Sequence, residues 1–344
     1  MRGLLEDQVK HWYRKVNVIL LRPHLLAAMT VLVLLCSQHD AMAQGAVVGI
    51  LEGKATLVRQ AARFALAEGS ALQNEDIVET APASFVQIEF SDGARVGVGG
   101  ATRLMLAPRG LGRGAVNPRL YLLAGWLKLA QPADKPVPGD SMTPQFELAA
   151  MSGATIFMSS DKALSLFVES GSVKLVERSN ARPPLALVPN NFVVVRLGDK
   201  PELAARPTPD FLAQMPRPFR DSLPSRAAKF RDNPVAPKPL GDVTYDDVAG
   251  WLVAEPGLRL PLVERWRPRL RDKAFRAAMI ANLTAHPEWD PLVFPEKAAK
   301  KRADEKRARE QRAAAAAASA ASAQAASAQA ASAPRAPGAR APER

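Results

Sequence analysis

Five residues could bring a thiolate or an imidazole to this 344-residue chain: His11, His24, Cys36, His39 and His286. A cysteine nucleophile, a Cys/His zinc site or a Ser-His-Asp triad must draw on them. All but His286 lie in the first 39 residues. His286 sits in Ala285-His286-Pro287, after a helical pattern, where interaction with the last carbonyls of that helix is its expected role. Glycan hydrolysis by paired carboxylates needs neither residue type, but no spacing singles out such a pair. Asp92 precedes Gly93 in a turn signal, and Asp246-Asp247 fall where a helix begins. The sequence therefore nominates no catalytic, cofactor-binding or metal-ligating residue.

The N-terminal segment sets the expected compartment. Lys10, Arg14, Lys15 and Arg22 precede an apolar run over residues 25–36, and Ala41-Met42-Ala43 then offers a small-x-small cleavage site before Gln44. These are the parts of a signal peptide, expected over residues 1–43. As a helix the run is about 18 Å long, short of the roughly 30 Å of bilayer hydrocarbon. The alternative, a retained membrane anchor, borrows residues 16–21 and places Arg22 in mid-bilayer, where a charge is costly. Leu35 stands before Cys36 where a lipidation site has a small residue, so Cys36 reads as a member of the apolar run. Cleavage leaves no thiol and one imidazole, which excludes a disulfide framework and a Cys/His zinc site. The expected address is periplasmic or secreted, or the inner membrane if the leader is retained.

The formal charge of +12 is unevenly spread. Residues 44–296 hold 30 Lys and Arg against 27 Asp and Glu, whereas residues 297–344 hold 11 against 4. In the tail Asp304, Glu305 and Glu310 interrupt the basic run, as on a solvated helix, and no aromatic is interleaved for base stacking. Nucleic acid is therefore not an expected partner; electrostatic contact of the tail with an anionic surface is. From Ala313 onward Ala, Ser and Gln predominate, so residues 297–344 are expected as a disordered, at most frayed-helical tail.

Between residues 45 and 200 the dominant period is two, the mark of strands with one buried face. Val86, Ile88 and Phe90 share one face, Gln87 and Glu89 point the other way, and Val96 and Val98 resume the alternation after Asp92-Gly93. That dipeptide signals a hairpin with a type I′ turn. Gly125-Trp126-Leu127-Lys128-Leu129 recurs 46 residues later as Gly171-Ser172-Val173-Lys174-Leu175, with a looser copy from Gly53. Each glycine is expected where positive φ or close backbone approach is required. The fold class is mainly β, either β-solenoid-like or stacked hairpins.

The residues Leu72, Asp76, Val78, Thr80, Ser84, Val86, Ile88, Phe90, Asp92-Gly93, Val96, Val98-Gly99, Thr102, Leu104 and Leu106 form a pattern that resembles the FecR-type domain. Leu122-Leu123-Ala124-Gly125, Val168-Glu169-Ser170-Gly171 and residues 187–195 extend it. Glu75-Asp76 departs from the family's Gly-Asp, and Asn190-Asn191 stands where a glycine turn is usual; Asn tolerates the left-handed region. The resemblance implies a periplasmic β fold. Signalling members of that family carry a cytoplasmic anti-sigma segment before one membrane helix. The 24 residues ahead of the apolar run are too few for such a segment to fold alone, so only the fold and the periplasmic address carry over.

Residues 201–242 contain nine prolines and read as a linker of extended segments and short helices. From Thr244 the period becomes helical: Thr244 and Asp247 approximate a capping box. Trp251, Trp266 and Trp289 fall on or near the apolar stripes of a helical module at 243–294, as the core of a three-helix unit or as an exposed aromatic platform. The expected protein is an exported, non-enzymatic, FecR-like binding, sensing or scaffolding module without a cofactor, its partner an envelope protein or glycan. A membrane-anchored regulator of surface signalling is the alternative, and a carboxylate-based hydrolase a third.

Overall fold

The computed structural model describes residues 45–109, 111, 118–131, 137–178 and 182–332. The expected leader lies outside them. Two compact units divide at Gly241 and Asp242.

Among the described residues of the first unit, fifteen strands run through residues 46–204 and a sixteenth follows. They are β1 (Ala46–Glu52), β2 (Ala55–Arg59), β3 (Ala62–Ala65), β4 (Ala71–Leu72), β5 (Ile77–Thr80), β6 (Phe85–Phe90), β7 (Arg95–Val98) and β8 (Arg103–Leu106). After these come β9 (Leu120–Ala130), β10 (Val137–Met142), β11 (Phe146–Ser159), β12 (Ala163–Glu177), β13 (Leu185–Leu187), β14 (Phe192–Arg196), β15 (Glu202–Ala204) and β16 (Lys238–Asp242). The main path of the sheet is β15-β14-β12-β11-β10-β9-β8-β5-β2-β3-β16. Among the described residues of 46–204 the pairings are antiparallel apart from β9 with β10, so the architecture is hairpin stacked on hairpin.

Three long strands change partner midway. β9 pairs with β8 through residues 120–124 and with β7 through 127–130. β11 passes from β10 to β9, and β12 from β14 to β13. The changeovers fall at Gly125, Gly153 and Gly171, all with positive φ. A Cβ at Gly125 would lie 2.5 Å from the Thr102 Cα, and one at Gly171 2.2 Å from the Ser152 carbonyl oxygen. The sequence echo therefore marks two of the three places where a strand bends away from one neighbour towards another. The bends fold the sheet over, so that Leu57, Val78 and Leu104 share one core with Val86, Ile88 and Phe157.

The hairpin of β6 and β7 has the expected inward residues: Val86, Ile88, Phe90, Val96 and Val98 are buried. Its turn differs from the expected type I′. Gly93 N–H donates to the Phe90 carbonyl, and of Asp92 and Gly93 only the glycine has positive φ. This is a turn over residues 90–93 closed by a left-handed glycine, the three-residue hairpin loop rather than the two-residue one. The Asp92 carboxylate accepts from Ala94 N–H at 3.0 Å and from Arg119 at 2.6 Å, so it shapes the turn.

The stretch read as a linker forms α1 (Pro209–Gln214), a 3-10 turn (Arg217–Arg220) and α2 (Ala227–Phe230), as short helices between prolines. It does more than connect. Phe211, Met215 and Phe219 are buried against Ile50, Phe85, Ile156 and Phe192 in a second core on the outer face of the sheet.

The second unit holds α3 (Tyr245–Leu252), α4 (Pro256–Trp266), α5 (Lys273–Ala281), α6 (Asp290–Val293) and α7 (Pro295–Ser332). The capping box of Thr244 and Asp247 is formed. Pro268 lies in a 3-10 turn (Arg267–Arg271) that follows α4, and Asp272 caps α5 by accepting from Phe275 N–H at 2.8 Å. Trp251, Trp266 and Trp289 are fully buried, so they form the core and not an exposed platform. The tail expected as disordered is helical to Ser332, with residues 299–325 exposed. Ala carries the lowest helix cost of any residue, and 38 residues are ample to offset nucleation. Lys301–Glu305 and Lys306–Glu310 add i,i+4 pairs. No helix among the described residues is long and apolar enough to cross a membrane.

Candidate functional site

The polar residues of the FecR-like pattern turn inward and tie strands together. Asp76 is 1% exposed and takes both ends of the Arg59 guanidinium, at 2.9 and 2.6 Å, as well as the Gln73 N–H at 2.7 Å. Glu75 beside it has φ 66°, the left-handed conformation that the family's glycine would adopt without strain. Asn190 likewise has φ 70°, as its residue type allows. Thr80 Oγ1 donates to the Gly99 carbonyl at 2.5 Å and accepts from Thr102 N–H at 3.0 Å. Thr102 Oγ1 in turn accepts from Trp126 N–H at 2.9 Å, beside the bend at Gly125. These groups are spent on structure.

Chemistry that faces outward collects on the other side of β6, β7 and β9. Gln87 and Glu89, expected to point at solvent, are 5% and 3% exposed, because residues 223–227 lie over them. Glu89 accepts from Arg226 N–H at 2.8 Å, Ala227 N–H at 3.1 Å, Gln87 Nε2 at 3.0 Å and the Ser225 hydroxyl, and so caps the start of α2. Burial raises the Glu89 pKa, but the hydrogen bonds from Ser225, Arg226, Gln87 and Ala227 outweigh it and leave the carboxyl below its ordinary value. Gln87 Nε2 also donates to the Pro224 carbonyl at 2.9 Å, Arg95 to the Leu223 carbonyl at 2.7 Å, and Lys128 to the Phe219 carbonyl at 2.6 Å.

Between this strap and the sheet lies a cleft of about 310 Å³. Its charged lining is Arg95, Lys128, Glu169 and Asp221, and Gly97, Ala130, Gly153 and Ala154 line it as well. Lys128 is paired with Glu169 at 2.8 Å. A concave, mixed-charge cleft of this size can hold a small polar ligand or a side chain of a partner. Sequence reasoning missed it. The available signal was Phe85, Phe167 and Phe192, which are apolar yet out of phase with the inward faces of their strands, and which demand a cover on the outer side.

In the second unit His286 is 1% exposed, and its Nε2 lies 2.8 Å from the Tyr245 hydroxyl. Burial, only partly offset by the Leu252 and Ala285 backbone and by Glu288, holds its pKa below the ordinary value. A neutral buried imidazole contributes stability above its unfolded pKa of about 6.5, and that contribution is lost as pH falls from there through the folded pKa. Tryptophan-detected urea unfolding is expected to show the helical unit weakening below about pH 6.5, with a slope of at most about 1.4 kcal/mol per pH unit. His286→Gln is expected to flatten that slope; an unchanged slope in the variant would assign it elsewhere. Among the described residues, no three His, Cys, Asp or Glu side chains cluster as metal ligands.

Neither a family model nor a curated protein matches the chain. Two crystal structures of a candidate anti-sigma factor from Parabacteroides distasonis ATCC 8503, at 2.50 and 1.65 Å resolution, are similar to it with TM-scores of 0.31 and identities of 15% and 14%. Each match covers 38% of this chain and 59% of the solved one, so the chain spans about three fifths of the length of those proteins.

Proposed function

We propose that this chain is an exported, non-enzymatic binding, sensing or scaffolding module of the cell envelope, with a FecR-like β unit. The observation that carries the reading is a division of labour. Asp76, Thr80 and Thr102, the polar residues of the FecR-like pattern, are engaged in holding strands together, while an outward cleft offers Arg95, Lys128, Glu169 and Asp221 for recognition. The partner is an envelope protein or glycan that meets this face. The exposed basic residues of α7 add a salt-sensitive contact with anionic surfaces. Intact-mass analysis of the protein from an envelope fraction tests the address, with an N-terminus at Gln44 as the expected result. The long basic leader favours one second reading, a membrane-anchored regulator, and an uncleaved mass would establish that form instead.

A further inference from the structure

The cleft holds one guanidinium, that of Arg95, with no carboxylate hydrogen-bonded to it among the described residues. Arg95 pairs in register with Glu89 across β6 and β7, but the Glu89 oxygens are taken by Ser225, Arg226, Ala227 and Gln87. Lys128 has Glu169. Among the described residues the one hydrogen-bond partner of Arg95 is the Leu223 carbonyl, a neutral acceptor at 2.7 Å. A guanidinium carries five donors in a planar fork suited to a carboxylate or phosphate.

We propose that this cleft binds a small ligand through a single carboxylate seated on Arg95. The choice of a monoanion follows from the lining: with Glu169 paired to Lys128, Asp221 borders the same space and would repel the second charge of a phosphate monoester. The volume, about 310 Å³, lies at the lower end for ligand pockets, matching a dipeptide-sized acid or one sugar acid. The inference rests on the reading of the β unit as a binding module and names what it binds.

The test uses the full chain with three probes, N-acetyl-alanyl-alanine, its C-terminal amide and glucuronate, followed by calorimetry and by the arginine Nε–H NMR signals. Saturable binding of at least one acid is expected, with the amide at least tenfold weaker than the peptide acid if the peptide binds. Arg95→Gln is expected to lose tenfold or more. Arg95→Lys, which keeps the charge and loses the fork, should fall between, and decides the matter if Arg95→Gln does not fold. Arg196→Gln, at an exposed pair with Glu202, should bind like the parent protein. Preference for the peptide acid or for glucuronate identifies the source of the carboxylate. Binding of neither acid, equal binding of the amide, or undiminished binding in both Arg95 variants would overturn the proposal. Export as a mature protein from Gln44 would still stand in that case, so the two readings fail separately.

Discussion

Phe219→Ala is expected to destabilise the first unit by about 3–5 kcal/mol, as truncation of a buried aromatic does. Phe219 is fully buried and meets Phe85 edge-on at a centroid distance of 6.1 Å. A Cβ on Gly97 would come within 3.0 Å of its ring, so the ring sits directly on the sheet. Its loss leaves a cavity that the sheet cannot close, because β7 is held in register on both sides by β6 and β9. The carbonyl of the same residue accepts from Lys128, so the truncation also loosens the wall of the cleft. Urea unfolding gives the stability, and amide exchange over residues 209–230 shows whether the strap opens ahead of the sheet. Leu212→Ala on the exposed side of α1, where Leu212 is 40% exposed, should cost well under 1 kcal/mol. A cost below about 1 kcal/mol for Phe219→Ala would mean that residues 209–230 lie loosely on the sheet.

The second large effect is expected at Asp76. Removing its carboxylate in Asp76→Ala leaves the part-buried Arg59 guanidinium with the Ala71 carbonyl, and leaves the Gln73 N–H without its acceptor. Breaking one partner of a buried, bidentate pair costs about 3–5 kcal/mol, mostly as the penalty of the charge left behind. The comparison that isolates burial is Glu202→Ala. Its Arg196 pair is 53% and 63% exposed and should contribute less than 1 kcal/mol. If the two substitutions cost the same, the Arg59–Asp76 pair is not the tie between β2 and the turn before β5 that its geometry describes.

How far local pattern reaches is clear from particular residues. The inward set Val86, Ile88, Phe90, Val96 and Val98 is buried because a two-residue period admits one core face, whatever lies around it. Gly125 and Gly171 take positive φ because the bends they make are backbone properties, and a Cβ would clash at each. Thr244 with Asp247, and Asp272 ahead of α5, act over three residues and are local in the same sense. The alanine-rich tail was also local physics, but its length outweighed the expected fraying and gave helix to Ser332.

What covers the outer face is a different kind of fact. Gln87 and Glu89 alternate with the inward residues in the way solvent-facing residues do, and nothing within their own strand distinguishes a wet face from a covered one. Their partners Pro224 and Arg226 are 137 residues further along the chain, and the partner of Arg95 is 128 away. Composition marks residues 201–242 as proline-rich and reluctant to form long elements. It is silent on where such a segment lies, since short helices and extended turns pack wherever apolar side chains such as Phe211 and Phe219 find a complementary face. Hence the sequence by itself determined the strands, their inward faces and the glycine bends, which depend on neighbours a few residues apart. Tertiary structure alone decided the strap, the burial of Glu89 and the cleft at Arg95, because each needs two distant segments brought together before its hydrogen bonds exist.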